Sequence, residues 1–247
     1  MTDELRVVPL QGIPELEEGD DLGVHVVRAA EAVGGLRDED VVVVAQKAVS
    51  KVEGRVVHLA DVEPSALARE LAVEGDPRRL EVILREAREV VRARPPLVIA
   101  ETRHGFVCAS AGVDASNAKG PGTLVLLPLD PDASAAGLRD RIREVSGVDV
   151  GVVVSDSFGR AWRRGTTDVA LGVAGIEALQ NLKGQLDAAG YELHATEIAV
   201  ADEIASAAQL VMGKTSGIPA AIVRGLRVRG RGRGQDLVMP RDRDLFR

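Results

Sequence analysis

G-V-V-V-S-D-S-F-G-R-A-W-R-R-G-T-T-D, residues 151–168, is the stretch on which the reading of this 247-residue chain turns. The apolar run Val152–Val154 predicts a fully buried strand. It stops at Ser155, Asp156 and Ser157, where small oxygen-bearing side chains would be delivered to a cleft. Gly159 lets the backbone turn, and Arg160, Arg163 and Arg164 then place three cations within five residues. A carboxylate beside hydroxyls suits a hard divalent cation, which prefers oxygen ligands. Guanidinium groups suit phosphate or carboxylate, because they present a planar fork of donors. Together these make the composition of a phosphoryl-transfer site. The plainer alternative is a polar turn whose arginines pair with surface acids.

Outward from this stretch, the remaining elements predict a mixed α+β fold, with mixed sheets and packed helices. Residues 5–10 read as a short strand and 41–44 as a buried one, V-V-V-V, that runs out into Gln46, Lys47, Ser50 and Lys51. Those lysines suit phosphate, or simply a solvated edge. A helix capped by Asp20 or Asp21 carries Leu22, Val26, Ala29, Ala30 and Val33 at helical spacing. Pro64 marks a helix start, and a second helix runs from Asp76-Pro77 to about Arg92 before Pro95-Pro96 ends it. Its charged face reads as solvent exposure with i,i+4 pairing. Leu97–Thr102 and Phe106–Ser110 form a hairpin, with His104 in the turn.

Asp114, Ser116 and Asn117 then offer three oxygen-bearing side chains within four residues, fit either for a metal or nucleotide or for an Asx turn. Thr123–Leu127 is a strand, and 134–146 a helix capped by Ser134. Val169–Leu179 is punctuated by glycine and takes no clear assignment, whereas Tyr191–His194 reads as a strand. Thr196 opens a long helix to Met212, whose Glu197, Asp202 and Glu203 read mostly as caps and surface charge. Ala220–Val223 is the last strand, and the Gly- and Arg-rich segment after it is an ordered edge or a tail.

Composition narrows the function. The formal charge of −7 and 2% aromatic content argue against a nucleic-acid-binding surface. Cys108 is alone, so no intrachain disulfide or two-cysteine zinc site can form, and a reducing compartment is expected. The four histidines (25, 58, 104, 194) show no metal-ligand spacing. The N-terminus lacks signal-peptide character and no apolar run reaches membrane-spanning length, so a cytoplasmic protein is expected. Gly213-Lys214-Thr215 imitates the end of a phosphate-binding P-loop. That motif needs a glycine five residues before its Gly-Lys pair, where this chain has Ala208.

Six segments together resemble the coenzyme F420 gamma-glutamyl ligase family: G-I-P-E-L (12–16), V-V-A-Q-K-A-V-S-K (43–51), A-G-V-D-A-S-N (111–117), S-D-S-F-G-R-A-W-R-R-G (155–165), V-A-D-E-I-A (200–205) and M-G-K-T-S-G-I-P-A-A-I-V-R-G (212–225). They follow the family's order across nearly the whole chain. Some members carry a further nitroreductase-like domain; the resemblance here is to the stand-alone form, one catalytic unit over 1–247 with room for two closely packed subdomains. It implies GTP-dependent amide ligation through an acyl phosphate. L-glutamate is joined to a deazaflavin precursor, with Mg²⁺ or Mn²⁺, K⁺ as a further cation, and a homodimer.

By resemblance, Asp114, Asp156 and Ser157 are metal ligands, the last replacing the family's frequent threonine. Ile13, Pro14, Glu15, Leu16, Gln46, Lys47, Lys51 and Asn117 take nucleotide-binding roles. So does the loop Met212, Gly213, Lys214, Thr215, Ser216, Gly217 and Ile218. Lys214 departs from a metal-binding glutamate found in some archaeal members; a protonated lysine cannot ligate a metal, and it suits phosphate instead. Catalytic roles fall to Asp156 and, from their chemistry, to Arg160 and Arg164, with Arg163 beside them as a clamp. The competing expectations are an amide ligase for another carboxylate and a GTP-binding regulatory module without turnover.

Overall fold

The computed structural model describes residues 4–73, 75–94 and 96–246. In chain order the elements are β1 (Arg6–Pro9), α1 (Leu22–Glu31), β2 (Val41–Ala45), α2 (Gln46–Val52), β3 (Val56–His58), α3 (Ala66–Leu71), α4 (Pro77–Glu86), β4 (Ala87–Arg94), β5 (Leu97–Thr102), β6 (Val107–Ala109), β7 (Thr123–Val125), α5 (Pro131–Ser146), β8 (Gly151–Arg160), β9 (Arg163–Ala174), β10 (Gln180–Asn181), β11 (Glu197–Ile198), α6 (Val200–Met212) and β12 (Ala220–Arg224). This is the α+β architecture expected, with its strands divided among four sheets.

The principal sheet has the order β1-β12-β2-β8-β9. Only β2 and β8 are parallel, aligned from Val41 opposite Gly151 to Ala45 opposite Ser155. The valine runs are apolar throughout because both faces of these strands are covered. Val42, Val44, Val152 and Val154 pack with residues of α1, α2 and α5; Val41, Val43 and Val153 pack with α6. A third apolar cluster lies among α4, β5 and β7. Gly172 on β9 has a packing reason: a Cβ there would stand 1.9 Å from the Pro131 carbonyl oxygen at the start of α5.

Parallel alignment has a direct consequence for function. β2 and the buried part of β8 run in the same direction, so Gln46 and Asp156 emerge from the same edge of the sheet. β12 is antiparallel to β2 and begins at that edge, where Ala45 N donates to Pro219 O at 2.8 Å. The loop after α6 therefore lands beside the ends of β2 and β8.

Several expectations need correction. The strand at 152–154 does not stop at Ser155. It continues to Arg160 and turns back through Ala161 and Trp162, so that β9 absorbs most of the segment left unassigned after Val169. Gly159 lies in the ladder opposite Thr166, not in the turn. The helix from Asp76 ends at Glu86, and 87–94 pairs antiparallel with β5. The apolar spacing of Val90 and Val91 fits either period over so short a run, and their β-branched side chains suit a ladder. The i,i+4 pair Arg85–Glu81 survives, whereas Arg88 crosses strands to Glu101.

Pro95 lies outside the described residues. Helix α5 starts at Pro131, earlier than expected, and its cap is Asp130, which accepts from Ala133 N, rather than Ser134. Tyr191–His194 holds only an isolated bridge, Glu192 to Leu186. Residues 197–198 are strand, and α6 begins at Val200. The Gly/Arg segment is ordered against the end of β9, where a Cβ on Gly232 would meet Ala178 N at 2.1 Å.

Among the described residues no helix is long and apolar enough to cross a membrane. Cys108 is buried, and loss of water together with the nearby Asp156 charge pushes its thiol up to about 12, which leaves it chemically quiet.

Candidate active site

Where β2, β8 and the start of β12 meet the loops above them, a cleft opens to solvent. Four segments far apart in sequence line it. Ile13, Pro14, Glu15 and Leu16 form one wall, with Ile13 and Leu16 anchored in the core. Gln46, Lys47 and Lys51 come from α2, and Ser155, Asp156 and Ser157 from β8. Met212, Gly213, Lys214, Gly217 and Ile218 come from the loop after α6. Asn117 closes the mouth, donating to the Lys214 carbonyl oxygen at 3.3 Å.

Opposite charges face each other across this space. Lys47 Nζ donates to Asp114 Oδ2 at 2.5 Å and to Ser116 Oγ at 2.7 Å. Lys214 Nζ lies 4.0 Å from the same Asp114 oxygen, and Lys51 pairs with Glu15. Asp114 itself is not part of the cleft surface; it reaches the cleft through Lys47. Burial drives its carboxyl upward, but hydrogen bonds from Lys47 and Ser116 outweigh that and hold it below the usual carboxylate range. Asp156 responds the other way. Burial pushes it up to about 6, against the Ser157 amide and the charges of Lys47 and Lys214, with Asp114 adding repulsion. A desolvated carboxylate that stays under-compensated beside two ammonium groups would be relieved by a bound cation.

The other proposed positions divide. Gln46 lines the cleft, yet both protons of its side-chain amide are committed, to Ser50 Oγ at 2.8 Å and to Leu126 O at 2.7 Å. Thr215 and Ser216 stand outside the lining, and Ser216 Oγ donates back to Met212 O to close the loop. Arg160, Arg163 and Arg164 are not brought to the cleft. They occupy the exposed tip of the β8–β9 hairpin, where Arg160 donates to the Arg164 carbonyl oxygen at 3.3 Å.

Asp168 and Gln209 also line the cleft, although the sequence reading gave neither a role, and Ser155 stands there as expected. Asp168 sits opposite Ser157 in the β8–β9 ladder. Only the hairpin register brings it there, through the turn at Ala161 and Trp162 that no sequence motif marked. Asp202, expected as a cap or surface charge, instead accepts from Ala170 N at 2.8 Å and so fastens β9 to α6.

The donor set fits a divalent cation. Asp156 and Ser157 present a carboxylate and a hydroxyl on the cleft, and Asp114 stands close enough to perturb Asp156. No three acidic, cysteine or histidine side chains converge as a cage among the described residues, so any such ion would share its ligands with hydroxyl, water or substrate oxygens.

Residues 12–225 match the family model described as F420-0:Gamma-glutamyl ligase. A protein of Methanopyrus kandleri named coenzyme F420:L-glutamate ligase is 44% identical over 251 residues, covering 98% of each chain. Its namesakes from Methanocaldococcus jannaschii and Methanothermobacter thermautotrophicus are 42% and 40% identical; the first match covers both chains completely, the second 98% of this chain and 99% of the relative. With a family match across most of its length and such identity end to end, the chain belongs to the F420-0:gamma-glutamyl ligase family.

Proposed function

We propose that this protein joins L-glutamate to the deazaflavin precursor of coenzyme F420 in a GTP-dependent reaction, through an acyl phosphate. The observation that carries the reading is the single cleft in which Asp156 and Ser157 face Lys47, Lys51 and Lys214. A carboxylate is a poor electrophile. Phosphorylation replaces a hydroxide leaving group with phosphate, after which the glutamate amine attacks the acyl carbon and phosphate departs. Both substrates of the first step are anions, so the site must offset their repulsion.

In this reading Asp156 and Ser157 hold a divalent cation, Mg²⁺ or Mn²⁺, and Asp114 supports it from the second loop. When bound, the cation supplies positive charge to the phosphate oxygens as negative charge redistributes. Lys47, Lys51 and Lys214 supply fixed positive charge to phosphate or carboxylate, exchanging their present carboxylate partners for substrate oxygens. The turn at Gly213–Gly217 places Gly213, Lys214 and Gly217 on the cleft wall, so the chain there can approach a phosphate closely. Ile13 and Leu16 give the wall apolar surface against which a base can lie. Guanine rather than adenine, the K⁺ requirement and the choice of acceptor belong to this reading through the family. The homodimer does too, and the exposed Trp162, Leu186 and Tyr191 supply apolar surface for a second copy.

Mass spectrometry of a reaction with deazaflavin precursor, L-glutamate, GTP and Mn²⁺, with an ATP control, tests it. Precursor heavier by one or more glutamyl units, with GDP formed only from GTP, is the expected result. Unchanged precursor with GTP still bound would overturn the ligase reading in favour of a regulatory module; glutamylation of a different carboxylate would overturn the acceptor.

A pH dependence follows from Asp156. Only its ionised form binds a cation, so protonation competes as pH falls through about 6. Mn²⁺ affinity, followed by paramagnetic resonance of the free ion, should fall about tenfold per unit below that point. An ordinary carboxylate would hold its affinity to about pH 4. Flat affinity down to pH 5 would show that Asp156 is not a ligand.

A further inference from the structure

Asp168 is an almost fully buried carboxylate on the cleft wall, 7% exposed, and no step above uses it. Two hydroxyls donate to it: Ser157 Oγ to Oδ1 at 2.6 Å and Ser155 Oγ to Oδ2 at 3.2 Å. Its backbone is held from the other side by α6. Asp168 N donates to Gln209 Oε1 at 3.1 Å, and Ser206 Oγ donates to Asp168 O at 2.8 Å. The carboxylate therefore has a fixed position, set by the ladder on one side and by the helix on the other.

A serine hydroxyl has one proton and two lone pairs. When the proton is committed to a carboxylate, the oxygen can meet a third group only as an acceptor, and the charge-assisted bond raises its electron density. That is the state a hard cation needs from a hydroxyl ligand. We propose that Asp168 is a positioning residue for the divalent cation: it captures the Ser157 proton and so presents the Ser157 oxygen to the ion as a lone-pair donor. Asp168 does not converge with Asp114 and Asp156 as a three-carboxylate cage, which is why its influence is assigned through serine. The inference rests on the metal reading of Asp156 and Ser157.

The test is a double-mutant cycle on Mn²⁺ affinity, measured on the protein without nucleotide by paramagnetic resonance of free Mn²⁺, with thermal melting as the fold control. Asp168→Ala and Ser157→Ala should each weaken Mn²⁺ binding about 10–100-fold. The double variant should bind no more weakly than Ser157→Ala alone, because the two residues act through one ligand. Asp168→Asn keeps an acceptor oxygen for Ser157 but loses the charge. It should lie between wild type and Asp168→Ala, and it serves if the alanine variant fails to fold. Additive losses in the cycle, or native affinity in folded Asp168→Ala or Asp168→Asn, would overturn the role of Asp168. Wild-type protein with no measurable Mn²⁺ binding would overturn the metal reading and this inference with it, whereas loss confined to the variants tests Asp168 alone.

Discussion

Asp156→Asn should lower the ligation rate by roughly 10³-fold or more, about 4 kcal/mol of transition-state stabilisation, while leaving the protein folded. The substitution is nearly isosteric, so the β8 ladder and the cleft wall are preserved. What disappears is the carboxylate charge proposed to attract the cation. The stability of the variant gives a second, independent reading. Burial raises the Asp156 carboxyl to about 6 in the folded chain, against 3.8 for an ordinary aspartate. The folded state then binds the proton more tightly than the unfolded state. Its stability without metal is therefore lost as pH rises from about 4 to about 6, and the cost persists above that range. Asparagine resembles the protonated form and does not incur that cost. The metal-free variant should melt at or above the wild-type temperature at pH 7.5, even as its turnover collapses. A variant that turned over near normally would remove Asp156 from the metal site, and one that melted well below wild type would mark the residue as structural.

That combination of lost activity and retained stability bears on how much was readable from the sequence. Apolar runs announced β2, β8 and β12, because strands buried on both faces need apolar side chains at successive positions. The termini of those runs announced the cleft, because a buried strand that ends in polar side chains delivers them to one edge of the sheet. The place of Asp156, Lys47 and most of the loop at 212–218 on one cleft was therefore legible. The β8–β9 hairpin was not: beyond Ser155 its residues are polar and half exposed, so the period of two is hidden. The consequence was double. The arginines at 160–164 looked as if they belonged to the cleft when the extended hairpin carries them away from it, and Asp168 went unassigned although the same hairpin folds it back beside Ser157. The segment at 87–94 failed for a related reason. Its alternation is weak, and only pairing with β5 decides between strand and helix. Cleft membership was thus local information, whereas the partner across a ladder was long-range information.

Asp40→Ala should destabilise the protein by about 3–5 kcal/mol, the largest effect expected on folding. Asp40 is 1% exposed and fully engaged. Its Oδ1 accepts from Arg224 Nε and its Oδ2 from Arg224 Nη2, both at 2.7 Å, a two-pronged pairing that matches the guanidinium fork. Oδ2 also accepts from Arg37 N at 2.8 Å, and Arg224 Nη2 reaches the Gly35 carbonyl oxygen at 2.9 Å. These bonds join the turn after α1 to the start of β2 and the end of β12. Truncation to alanine would leave a largely buried guanidinium without its counter-charge, which costs more than the intact pair contributes. At roughly 2–4 °C per kcal/mol for a chain of this size, the melting temperature should drop by about 6–20 °C. Urea unfolding measures the same loss directly. The double variant Asp40→Leu with Arg224→Met should lose less than Asp40→Ala, because neither charge is then stranded. A loss below about 1 kcal/mol in Asp40→Ala would place the pair with ordinary surface bridges. Activity supplies the final contrast. Asp40 precedes β2, whereas the cleft begins at Ala45, its other end, about 15 Å away along a strand. The fraction of Asp40→Ala that remains folded at low temperature should therefore turn over at the wild-type rate. Stability is concentrated at one edge of this sheet and chemistry at the other, and the two substitutions should separate them.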